Sequence, residues 1–114
     1  MLFCNVKRML TSLYEAGGEP ELEIAVNGQS YMIILYGDYC TFQKCGDDCE
    51  ETQYSNLDEL INNALAEGVK LADIIEDIEA VSIEGCNIEE FDSILKEYQE
   101  SPICKKRIEQ RKKK

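Results

Sequence analysis

The sequence predicts a small α+β domain: a three-stranded antiparallel meander at about residues 20–45, packed on one face by helices. Three observations carry that reading. A run of alternating apolar residues is punctuated by two-residue turn signals. Stripes at three- and four-residue spacing flank it on both sides. The chain has 114 residues and 44% apolar content, which suits one small core and no second domain.

The first helix is expected over residues 2–15. Leu2, Val6, Met9, Leu10 and Leu13 form one apolar stripe, and Gly17 and Gly18 stop it. The strands follow at about 20–27, 29–36 and 39–45. Leu22, Ile24 and Val26 alternate with Glu21, Glu23 and Ala25, and Asn27-Gly28 is the strongest two-residue hairpin signal. Gly37-Asp38 is the second turn. These turns fix the register: Val26 opposite Gln29, Ile24 opposite Tyr31 and Leu22 opposite Ile33, then Leu35 opposite Cys40 and Ile33 opposite Phe42. One face then holds Leu22, Ile24, Ile33, Leu35, Cys40 and Phe42 and must be buried. The other is mixed: Glu21, Glu23, Met32, Ile34, Tyr36, Tyr39, Thr41 and Gln43.

Residues 46–53 read as a polar loop. Ser55, with Asp58 three residues on, caps a helix at about 56–66 with the stripe Leu57, Leu60, Ile61, Ala64 and Leu65, ended by Gly68. Leu71, Ile74, Ile75 and Ile78 predict a further helix at about 70–79. Residues 80–84 read as a short extended segment. Asn87 and Glu90 form a second capping box for a helix at 88–100, which Ser101-Pro102 breaks. Residues 1–103 make up the single acidic domain, and 104–114 form a tail that is either helical or disordered.

Charge is divided sharply between the two. Residues 105–114 hold seven bases and Glu109, a net of +6, which leaves residues 1–103 with five bases and 22 acids, a net of −17. Such a surplus works against compactness. It reads either as solvation or as an anionic surface that meets a basic partner. It also opposes nucleic acid, so any direct binding is expected to be weak and confined to the tail.

Chemistry is sparse. The chain has no His, which removes imidazole bases, Ser–His and Cys–His pairs and imidazole metal ligands. It has no phosphate-binding loop and no nucleophile elbow. The paired carboxylates fall in a loop or in first helical turns, where exposure keeps them ionised. A non-enzymatic protein is therefore expected, with no cofactor. Six cysteines, at 4, 40, 45, 49, 86 and 104, contain no C-x-x-C knuckle. Reduced thiols are expected, and a structural zinc on Cys40, Cys45 and Cys49 is the lesser alternative. No signal peptide and no membrane span is read, so a cytoplasmic location is expected.

Two binding surfaces remain. The first is acidic: Asp58, Glu59 and Glu67 on one helix with Asp73, Glu76 and Asp77 on the next, engaging a basic groove in the manner of a nucleic-acid mimic. The second is the mixed sheet face, where Tyr36 and Tyr39, with Tyr31 and Tyr54, supply aromatic anchors for a regulatory or assembly partner. A leading helix, an acidic meander and following acidic helices over residues 2–80 resemble the build of some small phage-encoded anti-CRISPR proteins. That resemblance implies an inhibitor from a phage or mobile element, and no functional residue is carried over from it.

Overall fold

The computed structural model describes residues 5–36, 38–46 and 50–112. Its centre is a six-stranded antiparallel sheet whose strands lie in the spatial order 51–54, 40–44, 29–35, 21–26, 79–83 and 86–87. The meander is β1 (Glu21–Val26), β2 (Gln29–Leu35) and β3 (Cys40–Lys44), in the register the turns predict. Asn27 and Gly28 carry φ of 50° and 82°, the paired positive values of a type I′ turn. At the second turn the Tyr36 amide donates to the Tyr39 carbonyl at 2.9 Å, while Gly37 lies outside the described residues.

The predicted inner face is the observed one. Leu22, Ile24, Ile33, Leu35, Cys40 and Phe42 are all buried. Three helices cover it: α1 (Val6–Glu15), α2 (Leu57–Asn63) and α3 (Leu71–Ile74). Their stripes, Val6, Leu10 and Leu13 with Leu60 and Leu71, are fully buried in one cluster with the sheet. Burying each such side chain contributes roughly 1.5–3 kcal/mol, which is what holds these short helices to the sheet. Phe91, Ile94, Leu95 and Tyr98 of α4 (Phe91–Glu100) lie half-buried at the rim of that cluster.

The structure adds two strands to this sheet where the sequence suggested none, at 51–54 and 86–87, and makes the extended segment expected at 80–84 a strand of the same sheet. β4 (Glu51–Tyr54) lies in the expected polar loop and pairs with β3. Residues 47–49, including Asp47 and Asp48, lie outside the described residues. β7 (Glu79–Ile83) extends the meander by pairing with β1, and β8 (Cys86–Asn87) closes that edge. Val81 is a bulge residue in β7. It has no partner on β1 and is 45% exposed, so Ala80 and Ile83, three apart, both turn inward.

The helix expected at 56–66 ends at Asn63. Its cap is Asn56, whose side chain accepts from the Glu59 amide at 2.8 Å, one residue past the expected Ser55. Leu65 and Ala66 instead form β5, paired with β6 (Val69–Lys70) across Glu67-Gly68. The helix expected at 70–79 shrinks to a single turn, α3. The apolar spacing continues to Ile78, but pairing of residues 79–83 with β1 takes the chain out of the helix. Asn87 caps as expected, although its side chain takes the Glu89 amide of a 3-10 turn (Ile88–Glu90).

The tail is helical: α5 spans Pro102–Lys112, with proline at its first position. It docks on the corner after α1, where Gly17 (φ +78°) ends that helix. The Gly17 and Gly18 amides donate back to the Tyr14 and Leu13 carbonyls. Arg107 donates to the Gly17 carbonyl and pairs with Glu19 at 2.8 Å, and Cys104 is buried beneath.

Candidate functional site

The acidic residues expected on two helices are only partly helical, because Glu67, Glu76 and Asp77 lie in turns. Asp58 and Glu59 are exposed in the first turn of α2, where carboxylates suit the helix dipole. Asp73 is exposed on α3, while Glu76 and Asp77 follow it in a turn. Glu76 accepts from the Asn5 side chain at 2.7 Å and so ties that turn to α1.

Glu67 is corrected most fully. It sits in the β5–β6 turn at a φ of 50°, on no helix. Its carboxylate accepts from the Tyr31 hydroxyl and lies 3.4 Å from Lys44 Nζ. Its amide donates back to the Tyr31 oxygen at 2.9 Å. The tyrosine hydrogen bond, helped by Lys44, holds the carboxyl below its usual range. Burial, with Glu67 beside it, pushes the Tyr31 hydroxyl up. This group fastens the small hairpin to the sheet.

The tyrosines divide between the two faces. Tyr31 is buried on the inner face and stacks on Phe42, ring centroids 5.1 Å apart. Tyr54 also faces the core cluster, opposite Cys40. Tyr36 and Tyr39 remain outside it, half-buried and stacked at 4.8 Å with planes 19° apart.

The outer face is best read as rows across the strands. One row is Ser82, Glu23, Met32, Gln43 and Glu51. The next is Glu21, Ile34, Thr41 and Gln53, and Tyr36 and Tyr39 follow beyond it. On the far side the rows end with Glu79, Ala25 and Ser30. Met32 and Ile34 are half-buried and lie outside the core cluster. Four carboxylates, Glu21, Glu23, Glu51 and Glu79, share these rows with Met32, Ile34 and the tyrosine pair. The rows contain no lysine or arginine, because Lys44, opposite Tyr31, belongs to the inner face.

Two hydrogen bonds order the carboxylates. Thr41 Oγ1 donates to Glu51 at 2.8 Å, and Ser82 Oγ donates to Glu23 at 3.2 Å. Partial burial first, then Glu51, Tyr39, Glu21 and Glu19, raise the Tyr36 hydroxyl above its usual range. The tyrosine end therefore sits in a negative field. Glu51 and Glu79 escape sequence reading because they reach this face only through β4 and β7.

Other chemistry is thin. Among the described residues no group of three or more Cys, Asp or Glu side chains is placed to hold a metal ion. Cys40 is sealed in the core, where burial and then Glu59 push its thiol up to about 11. Cys4 and Cys49 lie outside the described residues. No described helix is long and apolar enough to cross a membrane. Fold and face together define an α+β chain with an acidic, aromatic outer sheet surface. No family model, curated protein or solved structure matches the chain.

Proposed function

We propose that the chain is a non-enzymatic protein-binding module, and that the outer sheet face seats on a basic protein surface. The observation that carries this is the composition of that face: four carboxylates and no base around Met32, Ile34 and the stacked Tyr36–Tyr39 pair. Stacked tyrosines offer a rigid anchor at small entropic cost. The carboxylates steer a cationic partner and set its orientation. The −17 on residues 1–103 extends the same field over the body.

The partner class follows from the charge. A surface that holds nucleic acid is lined with lysine and arginine, and carboxylates set across neighbouring strands answer that pattern. The function is thus inhibition, or occupation, of a basic nucleic-acid-binding protein. A cytoplasmic setting, where such partners are found, fits this reading.

The test compares captured proteins rather than merely collecting them. Wild type, a sheet-face variant (Tyr36→Ser with Tyr39→Ser) and a helix variant (Asp58→Lys with Glu59→Lys) are used as baits in nuclease-treated lysate. Basic proteins retained by wild type and by the helix variant, but lost with the sheet-face variant, are the expected result. Equal capture by all three would remove the sheet face from consideration.

A further inference from the structure

A cleft of about 360 Å³ opens at the end of the sheet away from the Tyr36–Tyr39 pair. Val69 of the small hairpin, Ile78 and the Asn27-Gly28 turn line it, together with Asp77 and Glu79. Its volume falls in the range of small-ligand sites, roughly 300–1,000 Å³. Val69 is 40% exposed and Ile78 half-buried, so apolar surface stands open to water there. Both charged lining residues are exposed carboxylates, and no base lines the cleft.

Apolar walls beside two carboxylates suit a group with an alkyl stem and a cationic head. Such side chains lay the stem on apolar surface and keep the head at the polar end. A guanidinium suits this place better than an ammonium. It is more weakly hydrated, and its planar fork of five donors can serve two carboxylates at once. Ala25 and Glu79 belong both to the cleft lining and to the last row of the outer face. A partner seated on that face therefore reaches the cleft without a gap. We propose that the cleft is a specificity pocket that takes an arginine side chain of the basic partner. This rests on the reading of the outer face as the binding surface.

The pocket can be tested without the partner. N-acetyl-arginine amide is titrated into the full chain while amide shifts are followed by NMR. Saturable shifts at Ala25, Gly28, Val69 and Ile78 in the millimolar range are expected, as befits so small a ligand. The uncharged isostere N-acetyl-citrulline amide should bind at least about ten-fold more weakly. Asp77→Asn with Glu79→Gln should weaken the arginine probe to the same degree. Val69→Trp, a substitution at an exposed site, should fill the cleft and abolish the shifts. Absence of saturation, equal binding of citrulline or of N-acetyl-lysine amide, or equal shifts at Asp58 and Glu59 would each overturn the pocket. Failure here leaves the tyrosine surface standing. Failure of the capture comparison would leave this small-molecule result untouched.

Discussion

Two glutamates occupy left-handed turn positions, and each is held by a tyrosine. Glu67 and Glu84 carry φ of 50° and 51°, each followed by a glycine that completes a type I′ turn. That conformation costs a residue with a Cβ about 1–2 kcal/mol. Tyr31 donates to the first carboxylate and Tyr98 to the second. The two differ in sign. Glu67 is held below its usual 4.5 by Tyr31 and Lys44, whereas burial, Glu21 and Glu97 raise Glu84. A lowered carboxyl contributes stability above its unfolded value and loses it as pH falls through the folded one. Tyr31→Phe should therefore lower the urea-unfolding midpoint, since the Glu67 amide loses its acceptor and the carboxylate its donor. It should also move the acid-unfolding midpoint to higher pH. Glu84→Asn should instead stabilise the fold near neutral pH, with the gain fading in acid where Glu84 is protonated, because asparagine tolerates the turn and an unfavourable charge is removed. A gain of about 0.5–1 kcal/mol is expected by the same assay.

Among the elements, those with an inward apolar row were legible and those without were not. The meander could be read because Asn27-Gly28 set the register and Leu22, Ile24, Ile33 and Phe42 confirmed it on one face. β4 could not, since Glu51, Thr52 and Gln53 are exposed and carry no apolar alternation. Charged, polar edge strands of this kind protect a sheet from pairing with other chains. The Glu-Gly turns at 67–68 and 84–85 lack the Asn or Asp that marks a hairpin. Gly68 consequently reads as a helix stop, and the helix expected at 70–79 hid the start of β7. The docking of α4 and α5 was also hidden, because it depends on two glycines far away in sequence, Gly18 beneath Tyr98 of α4 and Gly17 beneath Cys104 of α5. A Cβ on Gly17 would stand 2.6 Å from the Cys104 carbonyl oxygen, and one on Gly18 2.7 Å from the Tyr98 ring. Gly17→Ala adds backbone strain to that clash and should cost about 2–3 kcal/mol. Cys104, 5% exposed, should then react with a thiol reagent in native buffer, whereas in wild type it should remain protected.

At the scale of the whole molecule, the surplus charge is carried in two places with different consequences. The basic helix α5 returns one charge to the body through Arg107 and Glu19. The outer face keeps its carboxylates free of basic neighbours within the sheet rows. Thermal stability should therefore rise with added salt, which screens the self-repulsion. It should also fall in alkali. The folded chain holds the Cys40 proton up to about 11 against an ordinary value of 9.0, so stability is lost as pH rises past the lower figure. Melting temperatures at about pH 6 and about pH 10 check this, the first being higher. Half of the proposed binding surface was visible in the sequence, where the meander register set Tyr36 and Tyr39 with Glu21 and Glu23. The other half was not, because Glu51 and Glu79 come from strands whose partners only the folded sheet reveals.

The most direct test of the central claim is an amide-exchange footprint of the chain bound to a captured basic partner at physiological salt. Protection concentrated on β2, β3 and β4 around Met32, Ile34, Tyr39 and Glu51 is the predicted result. Protection confined to the start of α2, around Asp58 and Glu59, with the sheet unchanged, would contradict it.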